Sequence, residues 1–120
     1  MSKPIEIIAE AGVNHNGSLD LARELVDVAV EVGADYVKFQ TFKGEKLAGC
    51  FAAKAEYQKL HTSAATTQLE MIKKLELSED NHLMLARYCA ERNIRFLSTP
   101  FDIESMHFLV STLNVDKLKI

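Results

Sequence analysis

The sequence predicts an α/β protein built on a parallel sheet. Strand-like runs at Ile5 to Ala9, Asp35 to Gln40 and Ile94 to Ser98 alternate with stretches of helical periodicity. The first strand, helix and second strand together take about 30 residues, the size of a right-handed parallel crossover.

Ile5-Glu6-Ile7-Ile8-Ala9, closed by Glu10-Ala11-Gly12, reads as a first strand mostly buried on both faces. Ser18 stands where an N-cap belongs, with Asp20 in the first turn. Leu21, Leu25, Val28 and Val32 then recur at helical spacing until Gly33 supplies the stop. Asp35 to Gln40 follows as the second strand. From Thr41 to about Ala65 no period is sustained, so an excursion loop is expected there. Leu69, Ile72 and Leu75 form one face of a short helix. Ser78-Glu79-Asp80 opens a longer one that carries Leu83, Ala86 and Ala90 and ends near Arg92-Asn93. Ile94 to Ser98 is the third strand, and Pro100 hinders continuation of its ladder. Asp102 caps a helix through Met106, Leu109, Val110 and Leu113, and Val115 to Ile120 begins a fourth strand. A doubly wound sheet and a (β/α)₈ barrel both open in this order. A whole barrel takes about 250 residues, so four strands would be half of one.

With 14 Lys+Arg against 17 Asp+Glu, a net charge of -3, and 48% hydrophobic residues, the 120-residue chain has the composition of a folded globular domain. No basic tract points to nucleic acid, and no apolar run approaches the ~20 residues of a membrane span. Met1-Ser2-Lys3-Pro4 leads into too short an apolar run for a secretory signal, so a cytoplasmic protein is expected. Cys50 and Cys89 lack a Cys-x-x-Cys partner and read as reduced packing residues. Neither a Walker loop nor a G-x-G-x-x-G occurs.

Side-chain alternation groups the polar strand residues. Lys38 and Gln40 share a face with Tyr36, Glu10 goes with Ile8 and Glu6, Thr99 with Leu97 and Arg95, and Lys119 with Lys117. Each group ends in a polar residue at the C-terminal end of its strand, the end at which parallel barrels place their active sites. Lys38 and Lys119 aimed into one mouth would repel unless an anion lies between them, which argues for a phosphate or carboxylate ligand. Glu10 is either a counter-ion for these lysines or an acid/base group. The four histidines show no metal-ligand spacing. His82 and His107 fall in helices as surface or packing residues, while His15 follows the first strand in a turn, Gly12 to Gly17, that also holds Asn14 and Asn16.

Three segments together are familiar: Ala9-Glu10-Ala11-Gly12-Val13-Asn14-His15-Asn16-Gly17-Ser18, Val37-Lys38-Phe39-Gln40-Thr41-Phe42, and Leu97-Ser98-Thr99-Pro100-Phe101-Asp102. They resemble the N-acetylneuraminate (sialic acid) synthase family, as do Ala55 to Gln58 and Gln68 to Leu77. The resemblance implies a (β/α)₈ barrel of which this chain is the N-terminal half, followed in complete members by a small antifreeze-like domain and assembled as a homodimer. It implies condensation of phosphoenolpyruvate with an N-acetylmannosamine-type sugar, aided by a divalent metal (Mn or Mg) whose ligands are not in this chain. By the same resemblance Lys38, Thr99 and Lys119 match positions that bind phosphoenolpyruvate, Gln40 a polar residue near the sugar, and Glu10 the carboxylate near the reacting carbons. Asn14 and His15 form a possible site turn. An asparagine that contacts the sugar in relatives falls near Ser63.

The chain stops where such a family would continue. The 120 residues are therefore expected to be a truncated or partial form, unable to turn over alone, with unpaired strand edges. Two other readings stand beside this one: a related phosphoenolpyruvate-dependent aldol-type synthase, and a non-catalytic anion-binding or assembly fragment.

Overall fold

The computed structural model describes residues 5–47 and 62–120. Three parallel strands, β1 (Ile8–Gly12), β2 (Tyr36–Thr41) and β3 (Arg95–Pro100), lie side by side in chain order. Helix α1 (Leu19–Glu31) returns the chain from β1 to β2, and α2 (Thr62–Leu75) and α3 (Glu79–Glu91) precede β3. Helix α4 (Ile103–His107) follows β3 and runs into a wider π-helical turn over Phe108–Thr112. Sequential parallel strands joined by helices are consistent with the opening of a (β/α)₈ barrel.

The helix starts form where side-chain oxygens meet free backbone N–H groups. Ser18 Oγ accepts from Leu21 N–H at 3.2 Å, Ser78 Oγ from Asn81 N–H at 3.1 Å, and Asp102 Oδ1 from Ser105 N–H at 2.6 Å. Gly33, at φ 78°, ends α1 in the left-handed region.

Apolar burial decides which face of the sheet meets the helices. Ala11, Val37 and Phe39 turn outward and pack with Ala22, Val26 and Ala29 of α1 and Leu85 and Cys89 of α3. Each large side chain buried there stabilises by about 1.5–3 kcal/mol, more than the ~0–1 kcal/mol of an exposed ion pair on the other face. The inner face is the polar one. At its N-terminal end Tyr36 is buried beneath the Arg95 guanidinium, 4.1 Å from the ring centroid. Glu6 bonds Arg95 and pairs with Lys117 at 3.5 Å, which makes a charged floor under the inner face.

Three expectations need correction. The first strand runs over Ile8–Gly12 rather than Ile5 to Ala9, and Ile5, Ile7 and Ile8 are exposed rather than buried on both faces, because β1 is an edge of the three-stranded sheet. Helix α2 begins at Thr62, within the expected loop, and residues 44–47 form a further helical turn. No fourth strand forms over Val115 to Ile120. The tail does run beside β3, with Lys119 N–H donating to Ser98 C=O at 3.2 Å. In a parallel ladder that bond places Lys119 opposite Thr99, and its companion would run from residue 100 N–H to Lys119 C=O. Pro100 has no N–H to give, so the ladder breaks at this rung. Cys50, His61 and the Ala55 to Gln58 segment lie outside the described residues. Among those described, no helix is long and apolar enough to cross a membrane.

Candidate functional site at the C-terminal strand ends

The strand register sets the site in two rungs. Glu10, Lys38 and Leu97 stand opposite one another in the first, Gln40 and Thr99 in the second, all on the face turned away from the helices. Lys119 lines up with the second rung through its backbone bond to Ser98. Parity therefore brings Glu10, Lys38, Gln40 and Thr99 to one surface. The Lys119 ammonium is turned to the carbonyl of Ile120, 2.5 Å away, and is exposed.

Lys38 Nζ donates to Glu10 Oε2 at 2.5 Å. The lysine side chain is 13% exposed and the carboxylate 56%, so the cation lies deeper and the anion nearer the opening. A β-bulge between Glu10 and Gly12 bends β1 at this point. Gly12 then takes φ 57°, where a Cβ would stand 3.2 Å from Glu10 Oε1 and 3.7 Å from Gln40 Nε2. The absence of a side chain at Gly12 lets the carboxylate and the amide approach the same spot. An ammonium, a carboxylate, an amide and a hydroxyl on one face of the strand ends can hold an anionic substrate and pass a proton to or from a neighbouring carbonyl.

In the turn that holds Asn14 and His15, the His15 ring points away from this face. His15 is buried on the helix side, its ring 6.1 Å from that of Phe39, with Nδ1 accepting from Gly17 N–H at 2.8 Å. Burial, and then the neighbouring His82, hold its pKa below the ordinary value. Asn14 is exposed, its N–H bonded to Ala11 C=O. Gly17 closes the turn against α2, where a Cβ would come 2.3 Å from Lys74 C=O. His15 does not join the Glu10–Lys38 cluster.

Sequence reasoning missed the layer beneath the site. On the helix side Thr41 Oγ1 lies 2.7 Å from Ser98 Oγ and 2.9 Å from His82 Nε2, and all three residues are buried. Hydroxyls at outward parity on an otherwise apolar face were the available signal, since such groups need partners. Asp102 also links the strand-end loops: Oδ2 accepts from Lys43 N–H at 3.0 Å and from Ser105 Oγ–H at 2.9 Å. Those N–H and O–H donors hold its carboxyl below the usual range against the opposing effect of burial, the largest single influence on it. Among the described residues no three of His, Cys, Asp and Glu converge so as to hold a metal ion.

Fold and site together define a β/α-barrel protein with its ionisable cluster at the C-terminal strand ends. The chain belongs to the NeuB family, which residues 25–120 match. It is 55% identical over 114 residues to the N,N'-diacetyllegionaminic acid synthase of Legionella pneumophila, covering 95% of this chain and 32% of that protein. The synthase of the same name from Campylobacter jejuni is 50% identical over 103 residues, 86% of this chain and 31% of that protein. Among solved structures, the N-acetylneuraminic acid (sialic acid) synthetase of Leptospira borgpetersenii in complex with citrate superposes with a TM-score of 0.75 at 31% identity, over 98% of this chain and 36% of that one. The chain thus spans about a third of the length of the curated relatives it matches.

Proposed function

We propose that this chain is the N-terminal part of a nonulosonic acid synthase that joins phosphoenolpyruvate to N-acetylmannosamine or a related acylamino sugar. The observation that carries the reading is the convergence of Lys38, Glu10 and Gln40 beside Gly12 on the inner face of the strand ends. C3 of phosphoenolpyruvate forms the new bond to the aldehyde carbon of the sugar. Water adds at C2, and the C2–O bond to phosphorus-bearing oxygen breaks to release inorganic phosphate. In this scheme Lys38, Thr99 and Lys119 hold the anion, Gln40 faces the sugar, and Glu10 orients the aldehyde or carries the proton that its oxygen gains. The Lys119 ammonium must leave the Ile120 carbonyl to take part.

No three of His, Cys, Asp and Glu converge among the described residues so as to hold a metal ion, and the steps above use this chain's own residues. The divalent ion implied by resemblance would draw its ligands from residues other than these, as would the remaining barrel, the antifreeze-like domain and the homodimer interface. Identities of 55% and 50% to two diacetyllegionaminic acid synthases, against 38% to the human N-acetylneuraminate-9-phosphate synthase, favour a diacetamido-trideoxy sugar over N-acetylmannosamine. Incubating the full-length protein with phosphoenolpyruvate and each sugar in turn tests this. Phosphate release with the diacetamido sugar, coupled one to one with a nonulosonic acid product, is expected; release with neither sugar would overturn the reading.

A further inference from the structure

His82 sits at the second turn of α3, on the far side of the sheet from the proposed site, and both of its ring nitrogens are bonded. Its Nδ1 lies 2.9 Å from Ser78 C=O, which can only accept, so Nδ1 carries the proton. Nε2 is then a lone pair and accepts from the Thr41 hydroxyl, and Thr41 Oγ1 in turn accepts from the Ser98 hydroxyl. The chain of donors therefore has one direction, set by a helix carbonyl and ending on two strands. Phe96 and Phe108 meet the imidazole edge-on at centroid distances of 6.4 and 5.6 Å and hold the ring in place.

The two strand residues that His82 restrains are the backbone neighbours of the site. Thr41 follows Gln40, and its C=O accepts from Phe101 N–H at 3.0 Å. Ser98 precedes Thr99, and its C=O accepts from Lys119 N–H at 3.2 Å. An all-apolar contact here would attach α3 to the sheet as well or better, since paired polar groups contribute little net stability over apolar ones of the same shape. What the hydrogen bonds add is a defined orientation of two adjacent strand ends.

We propose that His82 is a positioning residue for the strand-end site: through Thr41 and Ser98 it sets the placement of Gln40, Thr99 and the Lys119 backbone. The role in catalysis rests on the synthase reading above; the role in placement does not. Lys38 and Glu10 sit one rung back and are outside this control.

Three variants of the full-length protein decide the matter: His82→Phe, the triple variant His82→Phe with Thr41→Val and Ser98→Ala, and His82→Gln. Readouts are the backbone amide resonances, thermal stability, and affinity for phosphoenolpyruvate. His82→Phe is expected to move the amide signals of Gln40, Thr99 and Lys119, to spare those of Glu10 and Lys38, and to weaken phosphoenolpyruvate binding by roughly 10-fold. The triple variant removes both hydroxyls that His82→Phe leaves without the imidazole acceptor, and should recover stability without recovering affinity. It also carries the test if the single variant does not fold. His82→Gln keeps an acceptor for Thr41 and should restore both in part. Recovery of affinity together with stability in the triple variant would reduce His82 to packing and sink the proposal, as would unmoved strand-end signals in His82→Phe. A wild-type protein that binds no phosphoenolpyruvate would end the synthase reading alone, and the amide signals would still decide the placement.

Discussion

Lys38 and Glu10 face each other across the β1–β2 ladder with 2.5 Å between ammonium and carboxylate, and the ammonium is the more covered of the two. The arrangement leaves the Glu10 side chain more open to solvent and gives the deeper Lys38 cation a counter-ion. A half-exposed pair of this kind contributes at most about 1 kcal/mol to folding, so its value lies in the site.

Replacing Lys38 by Ala should therefore weaken phosphoenolpyruvate binding far more than sugar binding, by roughly 10- to 150-fold, the equivalent of a charge-assisted contact of about 1.5 to 3 kcal/mol. Titration calorimetry on the full-length protein with each substrate separately measures it. An equal loss for both substrates would remove Lys38 from its assigned role.

Gly12→Ala places a Cβ in the left-handed region and 3.2 Å from Glu10 Oε1. The conformational cost is on the order of 1–2 kcal/mol, read as a lower midpoint in denaturant. Activity should fall further than that loss explains, because Glu10 and Gln40 must both shift. Full activity in a destabilised variant would show that their approach to Gly12 is incidental.

Two buried imidazoles give the fold a pH dependence of known sign. His82 is held below the ordinary histidine value mainly by burial, with Lys43 pushing the same way while the Ser78 and Leu77 backbone and Glu79 oppose; His15 is lowered by burial and by His82. The unfolded chain thus binds more protons than the folded one once pH drops below the unfolded value near 6.5. Stability is full above that pH and declines as pH falls through it, by at most about 1.4 kcal/mol per pH unit per histidine. Denaturant midpoints between pH 5.5 and 7.5 check this, ahead of the range in which carboxylates titrate. A stability that rises on acidification would contradict it.

Burial pushes the Cys89 thiol up to about 12. In the native protein it should resist alkylation by iodoacetamide at pH 8 and react at an ordinary rate in denaturant. Rapid native labelling of Cys89, located by peptide mass, would mean that the helix–sheet core opens far more readily than its packing implies.

Much of this molecule was written in local patterns. Ser18, Ser78 and Asp102 announce their helices because a cap is satisfied within three residues of itself. Alternation was enough to set Glu10, Lys38, Gln40 and Thr99 on one face, because side chains reverse at every residue of a strand whatever the rest of the chain does. The motifs also carried the family, which the match over residues 25–120 bears out. Tertiary structure alone decided the remainder. His82 looked like an ordinary helix residue until Thr41, 41 positions away, met it on the buried side of the sheet. The His15 turn followed the first strand closely enough to suggest the mouth, but its ring went to Phe39 on the opposite face. Over Val115 to Ile120 the tail makes one backbone bond to β3, from Lys119 N–H to Ser98 C=O, and Pro100 denies it the next rung, a limit that matters only once Lys119 has been brought beside it. Spacing determines what a residue can offer locally, whereas a hydrogen bond between distant positions depends on which surfaces the apolar core has already brought together.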